Sequence, residues 1–291
     1  MNDALTCTVG AGRTLALAEY GDPGGVPLLF LHGAPGGRLS AAQHDQRFLR
    51  QGLRVLCPDR PGYGGSDAAP GHTLRDHADD LLALLDACEL DRVFVVGGSG
   101  GGPYALALAA TAPHRVHAVG VLVGAAPLQA DERAGQTGLV RTVLDSLSDP
   151  AQLRAALEQV RTSLLDQGIA ALMPDAAETD RELWSRQAEA MQRMLTDALT
   201  PGVQGLIDDF AAIYSSPWGF ELAQVIVPVV WAHGQDDQNV PITAAARLAG
   251  QLPRCRFITW EHTGHAPEPS LQAEFYTAVL AAAFQPGPAW K

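Results

Sequence analysis

The stretch RVFVVGGSGGG at residues 92–102 decides the fold of this chain. The apolar run VFVV leads into a cluster of glycines, and the helix-forming run PYALALAA follows it. A strand, a tight glycine turn and a helix occur in this order in two kinds of site: loops that bind phosphate groups, and turns that present a nucleophilic serine. The glycines alone do not distinguish them, so the spacing of their neighbours has to.

The phosphate-binding patterns do not fit this spacing. For a P-loop, GxxxxGK[ST], Gly97 and Gly102 are correctly spaced, but Pro103 and Tyr104 stand where the pattern needs Lys and Ser or Thr. The dinucleotide pattern GxGxxG fails at the same proline. The pattern GxSxG fits, with Ser99 at its centre. We therefore predict that Ser99 is a catalytic nucleophile and that the protein uses no cofactor.

Strand-like and helix-like patterns alternate along most of the chain. Several apolar runs are continuous and bounded by turn residues, as expected for strands buried on both faces of a parallel sheet. The candidate strands are 4–9, 13–20, 26–31, 53–57, 92–97, 115–123, 225–232 and 254–260, and the candidate helices are 39–51, 74–88, 100–111, 243–251 and 270–284. The alternation predicts an α/β fold. Its mostly parallel, eight-stranded sheet is flanked by helices and begins with an antiparallel hairpin at one edge.

Residues 126–222 interrupt this alternation because they contain helical patterns only. The patterns cover 148–165, 184–198 and 201–214, and Ser148 or Asp149 is placed to cap the first. Helices inserted between two consecutive strands can cover the carboxyl ends of the strands, where ligands bind. We expect a core domain of 1–125 and 223–291, and a helical lid domain of 126–222 inserted after strand 6. Most apolar residues of the lid are expected to pack its core, and others to line a pocket.

Two loops can supply the base and the acid that a serine nucleophile needs. The sequence HGQDDQNVP follows the candidate strand 225–232 and offers Asp236 and Asp237. The sequence EHTGHAP follows the next candidate strand and offers His262 and His265. Because the carboxyl ends of parallel strands meet at one edge of a sheet, these side chains can reach Ser99. The chain order of serine, acid and histidine is the order of serine hydrolases with a strand–GxSxG–helix turn.

These motifs together resemble the α/β-hydrolase fold superfamily, in its lid-bearing esterase and proline iminopeptidase-like branch. The resemblance covers nearly the whole chain outside the lid. The stretches that carry it are LFLHGAPG at 29–36, CPDRPGYGGSD at 57–67, GGSGG at 97–101, HGQDDQNVP at 233–241 and GHAPE at 264–268. The family places its acid three residues after the loop glycine and four before a proline, which implies Asp237 rather than Asp236. Its histidine follows a glycine, which implies His265 rather than His262.

The resemblance also implies an oxyanion hole and roles for nearby polar residues. The backbone N–H groups of Ala34, after the HG pair, and of Gly100, after the serine, correspond to the family's two oxyanion donors. We interpret His32 as a brace for its own loop and His233 as a structural residue. Asp59 and Arg60 are expected to stabilise the turn after the fourth strand.

The resemblance implies a serine hydrolase that cleaves a small carboxylic ester, thioester or lactone through an acyl-enzyme. Two alternatives keep the same triad. The GGSGG turn is similar to that of aminopeptidases that release N-terminal proline, and an acidic lid suits their ammonium substrates. A carbon–carbon bond hydrolase is the other. A third hypothesis is a binding protein that retained the fold without the chemistry.

Composition limits the partners of this protein. The formal net charge is −12, and Lys291 is its one lysine, which disfavours nucleic acid and anionic membranes. No run of about 20 apolar residues predicts a membrane span, and MNDALTCTVG at the start lacks a signal-peptide pattern. The four cysteines form no CxxC pair, which indicates free thiols and no metal site. We predict a cytoplasmic protein with a small-molecule substrate, either a monomer or a homodimer.

Overall fold

A single sheet organises the molecule. The computed structural model describes residues 2–173, 175–215 and 217–285. The strands are β1 Asn2–Val9, β2 Arg13–Gly21, β3 Val26–Leu31, β4 Leu53–Pro58, β5 Val93–Gly98, β6 Val116–Leu122, β7 Val229–Gly234 and β8 Cys255–Trp260. They lie in the order β1-β2-β4-β3-β5-β6-β7-β8. The pairs β1–β2 and β2–β4 are antiparallel and the others are parallel, which confirms the predicted eight-stranded sheet and its edge hairpin.

The helices occupy both faces of the sheet and one long insertion. The core helices are α1 Asp45–Arg50, α2 Leu74–Ala87, α3 Gly101–Thr111, α10 Ile242–Ala249 and α11 Pro269–Ala282. Between β6 and β7 lie α4 Ala130–Ala134, α5 Gly138–Ser146, α6 Pro150–Gln167, α7 Glu178–Arg186, α8 Ala188–Ala198 and α9 Gln204–Tyr214. Short 3₁₀ helices join several of these elements.

Alternate residues of the central strands point to opposite faces of the sheet and belong to two separate apolar cores. In β3, Leu29 and Leu31 belong to the core that also contains residues of α2, α3 and α10, whereas Leu28 and Phe30 belong to the core that contains residues of α1 and α11. This is the two-residue period of a strand with both faces buried. The apolar runs that identified the central strands are continuous because residues on both faces of these strands are buried in an apolar core.

The insertion has an apolar core of its own. Helix α6 buries Leu153, Leu157, Val160 and Leu164 on one face, and the side chain of Asp149 caps it by accepting the N–H groups of Ala151 and Gln152. The sequence pattern predicted that stripe and left the cap open between Ser148 and Asp149; the structure selects Asp149.

The structure corrects several of the predicted elements. Of the candidate helix 39–51, only Asp45–Arg50 is α-helical, and Arg38–His44 form a 3₁₀ helix. The strand predicted over 225–232 begins at Val229, because 222–224 form a 3₁₀ turn and Pro228 has no N–H to donate to a sheet. The stripe from Trp184 to Ala198 is divided between α7 and α8, which meet at Gln187. The helices α4 and α5 lie in a segment for which the sequence analysis offered no element.

The cysteines are in the state that the sequence analysis predicted. The four cysteines are free thiols, as predicted, with Cys57 fully buried. In the described part of the chain, no helix combines the length and the hydropathy that crossing a bilayer requires.

Candidate active site

Ser99 lies in the sharp turn between β5 and α3, at the carboxyl edge of the sheet. Its φ of +50° is in the left-handed region, which non-glycine residues rarely adopt. The turn admits no side chain on either flank: a Cβ on Gly97 would lie 2.3 Å from the carbonyl oxygen of Gly101, and one on Gly101 would lie 2.1 Å from that of Leu31. The glycines at 97 and 101 therefore let the backbones pass closely while Ser99 alone carries a side chain.

A chain of hydrogen bonds joins Ser99 to the two downstream loops. The Oγ of Ser99 lies 2.9 Å from Nε2 of His265, and Nδ1 of His265 lies 2.8 Å from Oδ2 of Asp237. The other carboxylate oxygen of Asp237 accepts the N–H groups of Asn239 and Val240, at 2.9 and 3.0 Å. These contacts fix the carboxylate, the imidazole and the hydroxyl in line.

The other two candidates for the acid and the base, Asp236 and His262, do not take part in this chain of hydrogen bonds. Asp236 and His262 are both exposed to solvent. The structure therefore brings together Ser99, Asp237 and His265, which are the three residues that the sequence analysis selected.

The pKa values of the acid and the base are displaced in opposite directions. Burial opposes ionisation of Asp237, but the charge of His265 and hydrogen bonds from His233 and His265 outweigh it and hold the pKa of the carboxyl below its ordinary value. Burial likewise opposes protonation of His265. The charge and hydrogen bond of Asp237, with the charge of Asp180, prevail and raise the pKa of the imidazole above its ordinary value. Asp237 is therefore ionised, and it stabilises the protonated form of His265.

Two backbone N–H groups lie beside Ser99. A Cβ placed on Gly100 would stand 3.2 Å from the backbone nitrogen of Ala34, so the loop after β3 and the start of α3 are in close contact. Gly100 is also the N-cap of α3, where the helix dipole is positive. The N–H groups of Ala34 and Gly100 are thus near neighbours in a region that favours negative charge.

Cavities of very different size meet at Ser99. The larger, of about 820 Å³, is lined by Ser99 and His265 and by residues of α7, α8 and α11. The smaller, of about 30 Å³, is lined by Ser99, Ala34 and Gly100 and by residues of α5 and α9. A groove of about 910 Å³ along β1 and α8 shares some walls with the larger of these two cavities but is not lined by Ser99 or His265. Access to the serine is therefore through the larger cavity.

Comparison with known proteins places this architecture in a family. The family model described as alpha/beta hydrolase fold matches residues 26–268. The chain belongs to the α/β-hydrolase family. This hydrolase is 31% identical over 258 residues to a non-heme chloroperoxidase of Streptomyces lividans, covering 85% of this chain and 87% of that one. It is 32% identical over 230 residues to a pimeloyl-[acyl-carrier protein] methyl ester esterase of Aromatoleum aromaticum, covering 76% and 83%.

Solved structures agree on the fold of this hydrolase. A thermophilic esterase from Thermogutta terrifontis superposes with a TM-score of 0.70 at 23% identity, covering 97% of this chain and 99% of that one. At that identity the likeness supports the shared α/β-hydrolase fold.

The sequence analysis missed Asp180, a buried carboxylate that holds the histidine loop. It lies on α7 of the insertion, and its two oxygens accept the backbone N–H groups of His265 and Ala266, each at 2.8 Å. A Cβ on Gly264 would lie 2.3 Å from this carboxylate, so the glycine before His265 makes the contact possible. The polar sequence ETDRELWSR around Asp180 carries no local signal of this role.

His32 and Arg60 together shape the loop that ends at Ala34. His32 accepts the backbone N–H of Arg60 on Nε2 and therefore donates from Nδ1 to the carbonyl of Gly33, at 2.7 Å, which confirms its predicted role as a brace. The guanidinium of Arg60 donates to the carbonyl oxygens of His32 and Gly33. It also pairs with the buried Asp209 of α9, a partner that the sequence did not reveal.

One group of side chains in this hydrolase has the composition of a metal site. The ligand atoms of His72, His77 and Asp80 lie within 4.8 Å of one another. Arg13, however, donates to both oxygens of Asp80, at 2.6 and 2.8 Å. A guanidinium in that position occupies the carboxylate and repels a second cation, so we assign no metal to this cluster.

Proposed function

We propose that this protein is a serine esterase that hydrolyses carboxylic esters, thioesters or lactones through an acyl-enzyme. The observation that carries the proposal is the continuous hydrogen-bonded chain from Asp237 through His265 to Ser99, with the serine held at positive φ. Its relatives, which include an esterase, support an acyl-transfer reaction.

His265 acts first as a base and then as an acid. As the Oγ of Ser99 bonds to the ester carbonyl carbon, Nε2 of His265 takes the hydroxyl proton. Asp237 holds the imidazole in the required tautomer and stabilises its charge. When the tetrahedral intermediate collapses, the bond to the alcohol oxygen breaks and His265 returns the proton to that oxygen. Water then repeats the sequence on the acyl-enzyme, releasing the carboxylic acid and free Ser99.

The N–H groups of Ala34 and Gly100 act as the oxyanion hole. They are fixed in place before the reaction, so they can stabilise the negative oxygen without reorganising. Each donor is expected to contribute roughly 3 kcal/mol to stabilisation of the transition state. Arg60 and His32 support this arrangement because they hold the carbonyl groups of the same loop.

Residues 126–222 act as the lid of this site. Residues of α7 and α8 line the large cavity, and residues of α5 and α9 line the small one. Asp180 connects the same segment to the histidine loop. Residues of the insertion therefore take part in substrate selection together with residues of the core.

The assignment of Ser99 is tested by active-site labelling. A fluorophosphonate probe should label the protein at one residue, and Ser99→Ala should abolish both the labelling and ester hydrolysis. Ser185→Ala, which removes an exposed hydroxyl of α7, is the matched control and should label at the rate of the unmodified protein. Labelling that persists in a folded Ser99→Ala variant would contradict the mechanism.

The alternatives that share the triad are separated by their substrates. We expect hydrolysis of short acyl esters, with no release of arylamine from a prolyl arylamide and no cleavage of a vinylogous 1,5-diketone. Faster turnover of the arylamide would favour the aminopeptidase, and cleavage of the diketone would favour a carbon–carbon bond hydrolase.

A further inference from the structure

The two cavities at Ser99 differ in volume by more than twentyfold, about 820 Å³ against about 30 Å³. Apolar and aromatic side chains dominate the large one, including those of Phe30, Leu39, Trp184, Met191 and Tyr276. An ester has two halves on either side of its carbonyl group. The chemistry of the triad decides which half each cavity can receive.

The position of His265 assigns the alcohol half to the large cavity. His265 must protonate the departing alcohol oxygen, so that oxygen lies within hydrogen-bond reach of its Nε2. His265 is among the residues that line the large cavity. The leaving alcohol therefore extends into about 820 Å³ of mostly apolar space.

The acyl half is directed to the opposite side of Ser99. With the carbonyl oxygen on the N–H groups of Ala34 and Gly100 and the alcohol toward His265, the remaining substituent of the carbonyl carbon faces the small cavity. Ala34 and Gly100 line that cavity. Its other walls in the described part of the chain include Leu139, Val140 and Ile213.

The volume of the small cavity limits the acyl chain. Measured in the same way, its volume of about 30 Å³ is less than one twentieth of that of the large cavity, so it has room for only the shortest acyl groups. A longer chain would have to displace Leu139, Phe210 or Ile213, each of which is at least 96% buried. Forcing extra methylene groups into such a packed region is unfavourable.

We propose that this protein is selective for acetyl esters of bulky apolar alcohols; the inference rests on the serine esterase function proposed above. The proposed substrate has a small acyl group and a large leaving group. An ester of a long-chain acid with methanol has the opposite distribution and should be a poor substrate.

Isomeric esters test this directly. Octyl acetate and methyl nonanoate have the same formula and similar intrinsic reactivity, as do 2-phenylethyl acetate and methyl 3-phenylpropanoate. We expect kcat/KM for each acetate to exceed that of its isomer by at least about tenfold, because each methylene group that does not fit a pocket costs at least that factor. Equal rates, faster hydrolysis of the methyl esters, or no hydrolysis of either acetate by protein that a fluorophosphonate still labels would overturn the inference.

A pair of variants on one helix tests the wall of the small cavity. Val140 and Val143 both lie on α5 and are buried, but only Val140 is among the residues that line the small cavity in the described chain. Val140→Ala should raise the ratio of kcat/KM for p-nitrophenyl hexanoate over p-nitrophenyl acetate about tenfold. Val143→Ala removes the same atoms and should leave the ratio unchanged. Equal ratios in two folded variants would overturn the assignment of the acyl site.

If the esterase proposal itself is wrong, the experiments give a different result from failure of the acetyl selectivity alone. In that case the unmodified protein would react with neither the fluorophosphonate nor p-nitrophenyl acetate. Failure of the acetyl selectivity alone leaves both of those reactions intact and changes only the order of the ester pairs.

Discussion

At the scale of single residues, the proposed mechanism implies that the charge of Asp237 sets the pH range in which His265 can act as a base. His265 must be neutral to accept the proton of Ser99, so activity falls as pH drops through its pKa. Asp237 and Asp180 raise that pKa. The acid limb of kcat/KM for p-nitrophenyl acetate should therefore have its midpoint above 6.5, the ordinary histidine value.

Replacing Asp237 tests in which direction its charge shifts the acid limb. In Asp237→Asn the stabilising charge is lost, so the midpoint should move to lower pH while kcat falls by roughly 10⁴-fold at neutral pH. Asp236→Asn changes the same charge on an exposed neighbour and should change neither quantity appreciably. An acid limb that stays in place in Asp237→Asn would show that another group titrates.

The residues that sequence alone could identify are those tied to a local pattern. Ser99 is marked by its glycines. The loop positions after consecutive strands offer two candidates each for the acid and the base, and the resemblance to the family selects Asp237 and His265. Asp180 and Asp209 carry no such mark, because each acts on residues far away in the chain: Asp180 on the loop of His265, and Asp209 on Arg60. Their roles are contacts that only the folded chain creates.

At the scale of secondary structure elements, α7 positions the histidine loop through one carboxylate. Asp180→Asn keeps one acceptor oxygen but turns an amide NH₂ toward a backbone N–H, so one bond to His265 or Ala266 is lost. We expect the free energy of unfolding to fall by about 1–3 kcal/mol. The acid limb of kcat/KM should also move to lower pH, because the charge of Asp180 raises the pKa of His265.

The pH profile distinguishes a positioning role from a purely structural one. Glu178→Gln removes the same charge from the exposed first turn of α7 and is the matched control. It should leave both the stability and the midpoint unchanged. A destabilised Asp180→Asn variant with an unshifted acid limb would mean that the carboxylate acts only on folding.

Elements were predicted well where their periodicity was supported by an end signal. Helix α6 has a cap, a proline in its first turn and a four-residue apolar stripe, and its predicted and observed faces coincide. The stripe from Trp184 to Ala198 also has helical periodicity, yet the chain breaks at Gln187 to form two helices. No glycine or proline marks that break in the sequence. The two helices contact different parts of the molecule, α7 the loop of His265 through Asp180 and α8 the guanidinium of Arg38 through Asp197.

At the scale of the whole molecule, the sheet was predictable and the attachment of the insertion was not. Buried strands need long apolar runs, and these runs specify the number and approximate limits of the strands. The insertion is joined to the core by apolar contacts and by a buried polar cluster. Asp209 of α9 accepts hydrogen bonds from Arg60 at 2.7 Å and from the hydroxyl groups of Tyr63 and Tyr104, each also at 2.7 Å.

Variants of this cluster should change stability and activity by different amounts. Asp209→Asn leaves the buried charge of Arg60 without its counter-ion, so we expect the free energy of unfolding to fall by about 3–5 kcal/mol in urea denaturation. Asp208→Asn, at a buried neighbour that accepts from Gly71 and Gln204, should cost about 1–3 kcal/mol.

The double variant Arg60→Met/Asp209→Leu removes both charges and should recover part of the lost stability, because apolar residues often replace a buried ion pair without cost. The recovery should be incomplete, because the buried hydroxyl groups of Tyr63 and Tyr104 lose their acceptor. Its activity should not recover. Arg60 also donates to the carbonyl groups of His32 and Gly33, next to Ala34, the oxyanion donor in the proposed mechanism. Small displacements of such groups cost up to about 100-fold in rate. We expect kcat/KM for p-nitrophenyl acetate to stay at least about tenfold below that of the unmodified protein. A double variant with full activity would show that Asp209 and Arg60 serve only to join the insertion to the core.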